Sequence, residues 1–162
     1  KAGIIGLILV AVFMIIFYRV PGLLAAVALI LYVTFVLAIL KIIAVTFTLA
    51  GIAGLILSVG MAVDANILIF SRVREELKGG KNFAAALEEG FRRAWPSIRD
   101  GNITTLLVAF ILFWFGSSFV QGFALTLSVG ILMSMFSAVF ITRNLLSLFV
   151  RTRLESRMWL WK

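Results

Sequence analysis

The chain has 162 residues, 63% of them apolar and only 14% charged, with a mean hydropathy of +1.16. Soluble domains run at roughly 45–50% apolar and about 25% charged, so an ordinary water-soluble fold is excluded and the bilayer must be part of the solvent. Cysteine and histidine are absent, which excludes disulfides, thiol nucleophiles, Cys/His metal centres and histidine acid–base catalysis. Seven carboxylates remain, and a net charge of +8 must be tested against loop location before nucleic acid is invoked.

A membrane-crossing helix needs about 20 mostly apolar residues. In chain order, the uncharged stretches give five spans, at about 2–18, 22–40, 48–71, 102–116 and 121–142. The Arg19-Val20-Pro21-Gly22 run breaks the chain between the first two, because proline lacks a backbone donor and disfavours helix in the residue before it. Residues 41–47 form a short entry to the third span, which carries Asp64 within its apolar run. The segment 73–99 is polar enough for water or headgroups, and its apolar positions Phe83, Ala86/Leu87, Phe91 and Ala94/Trp95 recur at helical spacing. It is expected to be an amphipathic surface helix, set off by Gly79-Gly80 on one side and by Pro96 on the other. Gly116-Ser117-Ser118 and Gln121-Gly122 supply the turn between the last two spans. Residues 147–162 form a basic, aromatic interfacial tail.

With five spans, Arg19, the 72–99 segment and all residues after Thr142 share one side and collect thirteen of the 15 Lys and Arg residues. This asymmetry makes that side cytoplasmic and places the C-terminus there. The charge is thereby explained by topology, and the interleaved Glu75, Glu76, Glu88 and Glu89 argue against a nucleic-acid partner. An odd span count and an opening at Lys1 without methionine lead us to expect the back part of a longer protein.

Asp64 is the most informative residue. It lies on the order of 12 Å from the cytoplasmic end of its helix, where an ionised carboxylate must meet a cation or water or else take up a proton. Its helical neighbours Gly60, Met61, Ile67 and Leu68 have no donor side chains, so a partner has to come from another helix or subunit. Two readings follow: a buried Asp that pins helices together, or a group that binds a proton or cation during transport. The second is favoured, because intramembrane carboxylates usually mark ion pathways.

Asn66 belongs with Asp64 as a candidate relay residue. Asn102 and Thr105, three apart on the fourth span, are placed to reach Asp64 from the neighbouring helix. Asp100 is expected to cap that helix. Arg72 and Arg74 lie at the cytoplasmic boundary, with Glu75 and Glu76 on the same solvated surface. The third span also carries small residues at every fourth position, Ala50, Gly54, Ser58, Ala62 and Asn66. The fifth repeats the device with Gly122, Thr126, Gly130, Ser134 and Ala138. Such ridges let helix backbones approach closely, and the two are expected to pack on each other or on equivalent helices.

The run Gly60-Met61-Ala62-Val63-Asp64-Ala65-Asn66-Ile67-Leu68-Ile69-Phe70, followed by Arg72-Val73-Arg74-Glu75-Glu76-Leu77, resembles the fourth-span motif of the SecD family. So does the ordered series Ala86, Gly90-Phe91, Ala94, Ile98, Asp100, Asn102, Thr104-Thr105-Leu106, Gly122-Phe123-Ala124, Thr126-Leu127, Gly130, Ser134-Met135-Phe136 and Arg143. Tyr18-Arg19-Val20-Pro21-Gly22 is similar to the family's loop between its second and third spans. The resemblance implies an all-α membrane fold of the RND superfamily, with the five spans as spans two to six of a six-span unit. It implies a subunit that uses a proton gradient, in some lineages sodium, to draw proteins outward through the Sec translocon of a bacterial or archaeal cytoplasmic membrane.

Under the resemblance, Asp64 is the proton-relay residue, with its basic partner supplied by a SecF-like half. The other partners are the translocon channel, auxiliary membrane subunits, the translocating polypeptide and lipid. Ser71 departs from the family's usual Glu. The alternative is an RND-type exporter of small molecules or lipids, and a third possibility is a structural anchor. The chain carries no phosphate-binding loop, metal-ligand cluster or paired-carboxylate cleft, so no enzyme activity and no cofactor beyond the coupling H+ or Na+ are expected.

Overall fold

The structure is a computed structural model that describes residues 2–148; residues 149–162 of the expected basic tail lie outside the described residues. It is all-helical among the described residues: α1 Ala2–Ile42, α2 Leu49–Lys78, α3 Phe83–Phe115, α4 Ser118–Phe136, a π-helical turn Ser137–Thr142, and α5 Arg143–Ser147. Four helical stretches are long and apolar enough to cross a membrane: Ile5–Ile42, Leu49–Lys78, Phe83–Phe115 and Ser118–Ser147. The outward faces carry many large apolar side chains, such as Ile16, Phe17, Ile30, Phe110 and Trp114, as a bilayer solvent requires.

α1 contains the expected first break. Arg19 leaves helical geometry at φ 50° and ψ −116°, and Pro21 falls just inside the second arm, where its missing N–H has no helical acceptor to serve. Gly22 lies so close to the Met14 backbone that a β-carbon there would stand 2.6 Å from the Met14 carbonyl carbon. The second arm buries Leu24, Ala25, Ala28, Leu29, Tyr32, Val36 and Leu40, a helical stripe that meets α2 and α4. Only Met14 of the first arm is fully buried among its described side chains.

Thr48 starts α2 by accepting the Gly51 N–H on its hydroxyl oxygen at 3.1 Å. After Gly79 and Gly80, the latter at φ 87°, Asn82 starts α3 by accepting the Ala85 N–H at 2.8 Å. Here the structure departs from the sequence expectation. The surface helix and the fourth span form one 33-residue helix that runs through Pro96, so Asp100 is an exposed mid-helix residue that accepts from Arg99 Nε at 2.9 Å and caps nothing. An N-cap needs a broken turn before it, and packing against α2 holds this turn intact. Proline costs one helical hydrogen bond, which tertiary contacts along the helix offset. Arg72 and Arg74 lie on the last turns of the continuous α2.

α2 is the central helix. It packs most extensively on α4 and next on α3. The α2–α3 hairpin closes tightly at Gly90, where a β-carbon would stand 2.8 Å from the Val73 amide nitrogen. Backbone cannot step aside there, so Gly90→Ala is expected to destabilise the subunit by about 1–3 kcal/mol, read as a lower unfolding midpoint of the purified protein in detergent.

Candidate ion-relay site in the membrane

Asp64 projects from α2 into a groove of about 290 Å³ between α2 and α3. Met61, Ala65 and Leu68 line it on one side; Ser97, Ile98, Gly101, Asn102 and Thr105 line the other. The hairpin crossing at Gly90 fixes this pairing, because it sets α3 antiparallel to α2 and carries Asn102 and Thr105 to the level of Asp64. Asn102 is buried and Thr105 half-buried, whereas Asp64 is exposed at the groove's mouth. The Thr105 hydroxyl donates to the Gly101 carbonyl at 3.0 Å. No Lys or Arg lines the groove, and Asp64 forms no ion pair among the described residues. Its carboxylate therefore has polar neighbours in Ser97, Asn102 and Thr105, an open approach from outside, and no cation beside it among the described residues.

Asn66 is placed elsewhere. It lies on the opposite face of α2, buried, and its Oδ1 accepts the Thr142 hydroxyl at 2.8 Å. The structure separates it from the Asp64 groove because two residues along an α-helix turn through about 200°. Among the candidate relay residues, Asp64, Asn102 and Thr105 come together and Asn66 does not.

The small-residue ridges of α2 and α4 face each other. Gly54 meets Thr126 and the Phe123 carbonyl, with room for no β-carbon, which would be 2.6 Å from that oxygen. Gly130 receives Ser58, Gly51 approaches Gly122 and Thr126, and the Thr126 hydroxyl donates to Gly51 O at 2.9 Å. Ala62 and Ser134, one turn further on, are both buried. Tyr32 on α1 joins the seam, donating to Ser58 Oγ at 2.8 Å with Gly130 O at 3.2 Å as second acceptor. The sequence reading missed Tyr32; a lone tyrosine inside an apolar span is the signal, since its hydroxyl must find a partner there.

The Lys78 end of α2 is also more organised than a solvated surface. Arg72 pairs with Glu75 at 2.9 Å, while Glu76, largely covered, accepts from Lys81 at 2.6 Å and Arg93 at 2.5 Å. Glu76 thus ties the α2–α3 hairpin across its turn. Arg74 keeps its Nε buried without a hydrogen-bond partner.

The sequence profile of the family described as "Protein export membrane protein SecD/SecF, C-terminal" matches residues 2–152. The chain is 52% identical to protein translocase subunit SecD of Thermobaculum terrenum, covering 99% of this chain and 32% of that protein. It is 55% identical to protein translocase subunit SecD of Dehalococcoides mccartyi, covering 98% and 36%. The chain therefore spans about a third of the length of these relatives. Its structure superposes on SecDF, a translocon-associated membrane protein from Thermus thermophilus, with a TM-score of 0.88 at 38% identity, over 91% of this chain and 21% of that one. It superposes on SecDF in a super-membrane-facing form with a TM-score of 0.85, over 95% and 20%. On a profile match that spans nearly its whole length, the chain belongs to the SecD/SecF C-terminal family of protein export membrane proteins.

Proposed function

We propose that this chain is the membrane domain of a SecD-like subunit that couples a proton or sodium gradient to protein export through the Sec translocon. The observation that carries this reading is Asp64, a carboxylate within an apolar span with no cation beside it among the described residues, facing a groove whose polar lining is Asn102, Thr105 and Ser97. In a low-dielectric setting the charged form is costly, so proton or cation binding there changes which packing of the helix is preferred. Asp64 binds and releases the coupling ion; Asn102 and Thr105 orient water or the ion without neutralising the carboxylate.

The counter-charge is a basic side chain from a SecF-like half docked against the groove. The two arms of α1 on either side of Arg19 count as separate spans in this reading, giving five, with the cytoplasmic side at the α2–α3 turn and the C-terminus. The membrane is the cytoplasmic membrane of a bacterium or archaeon. Neutralising Asp64 shifts α2 relative to the partner half, and that shift is passed outward to the part that handles the emerging polypeptide.

The experiment is protein secretion into membrane vesicles with the proton and sodium gradients collapsed one at a time by selective ionophores. One of the two treatments is expected to remove the stimulation that depends on this subunit. Stimulation that survives collapse of both gradients would overturn the reading.

A further inference from the structure

The π-helical turn Ser137–Thr142 interrupts a stretch with no proline or glycine from Ile131 to Ser147, so local sequence does not account for it. π turns arise where an extra residue is accommodated by tertiary contacts, and they concentrate at functional positions. The contacts here are specific. α2 and α4 run in a constant register: Gly54 meets Thr126 and Ser58 meets Gly130. Continued, that register sets Asn66 against Ala138. From there the π turn carries Thr142, one turn further on, over Asn66, whose Oδ1 receives its hydroxyl.

Elsewhere in the helices, the hydroxyls of Thr34, Ser58, Ser71, Thr104, Thr105 and Ser128 donate back to a carbonyl three or four residues earlier on their own helix, the usual local satisfaction. The Thr142 hydroxyl, like that of Thr126, crosses to α2, and of the two it is the one that meets a side chain there, Asn66. Thr142 is 1% exposed and Asn66 4%, so neither group has water as an alternative partner, and losing one leaves the other buried and unpaired.

Asn66 lies two residues from Asp64, on the far side of the same turn of α2. We infer that Thr142, presented by the π turn, holds Asn66 and thereby sets the rotation with which α2 presents Asp64 to its groove; Thr142 and Asn66 are positioning residues of the relay. This rests on the relay reading proposed above. Among the described residues, the groove that Asp64 faces is lined on α3 by Ser97, Asn102 and Thr105 and by no second titratable side chain; Thr142 faces Asn66 from the α4 side, and on α1 the Tyr18 ring packs on Phe70, further along α2. Arg99 and Asp100 on α3 are exposed and paired with each other.

The test uses the native subunit with its partners in membrane vesicles and reads the gradient-dependent increment in secretion, normalised to the amount of inserted subunit. Thr142→Val keeps the shape and removes the hydroxyl; Thr142→Ser keeps the hydroxyl. Thr142→Val is expected to lower the increment by at least about threefold and Thr142→Ser to restore it, while Thr142→Val combined with Asn66→Leu is no worse than the poorer single variant, because both act through one bond. Secretion with the gradient collapsed stays at the wild-type level in all four variants, Asn66→Leu alone included. If Thr142→Val fails to accumulate, Thr142→Ala carries the same comparison. An increment lost in Asp64→Asn but kept in Thr142→Val, or losses that add in the double variant, overturn the positioning role alone. An increment kept in Asp64→Asn overturns the relay reading and the positioning role with it.

Discussion

Asp64→Asn is expected to abolish the gradient-dependent part of secretion, a loss on the order of tenfold or more, while the subunit accumulates normally in the membrane. The asparagine is nearly isosteric and is content without a cation, so the α2–α3 groove keeps its shape and loses only its ability to change charge. Accumulation is expected to hold because Asp64 makes no ion pair within the described residues, and removing its charge leaves no partner unpaired inside this chain. Asp64→Glu keeps the chemistry but moves the carboxylate by one methylene, and retains a fraction of the increment. Secretion assays on the two variants, with immunoblots for inserted protein, separate the relay from a helix-pinning role: under the latter, Asn would hydrogen-bond as well as Asp and secretion would be unchanged.

Gly54→Ala and Gly60→Ala are expected to differ in sign although both lie on α2. Alanine favours a helix over glycine by roughly 1 kcal/mol, so at Gly60, where a β-carbon meets nothing within 4 Å, the substitution is neutral or stabilising. At Gly54 the same carbon collides with Thr126 and with the Phe123 carbonyl. That backbone can retreat only by prising α4 off α2 and breaking the Thr126 to Gly51 hydrogen bond, so a net destabilisation of about 2–3 kcal/mol follows. Thermal unfolding of the purified complex in detergent reads both; equal shifts for the two variants would contradict the close ridge contact.

Much of this was legible because membrane helices advertise their contacts by what they omit. The four-residue recurrence of small side chains in α2 and α4 is such a signal, since only close backbone packing rewards it. Asp64 was legible because a lone carboxylate in an apolar run is costly. The neighbouring places of Asn102 and Thr105 followed once α2 and α3 were taken as sequential helices.

The departures have equally definite causes. Pro96 reads as a break in sequence, yet the contacts on either side of it hold α3 together, which moves the cap from Asp100 to Asn82. Asn66 carried two signals at once, adjacency to Asp64 and membership of the ridge, and only the second describes its side chain. The π turn has no local sequence mark. Glu76 looked like a solvated residue, because the pairing with Lys81 and Arg93 exists only once Gly79 and Gly80 fold α3 back along α2.

The most direct test is chemical modification of Asp64 by dicyclohexylcarbodiimide, a carboxyl reagent that partitions into apolar surroundings, followed by peptide mass mapping and secretion assays on the same vesicles. Modification at Asp64 is predicted to remove the gradient-driven increment in secretion in proportion to its extent, with secretion at collapsed gradient unchanged. Secretion that still responds to the gradient with Asp64 fully modified would contradict the relay.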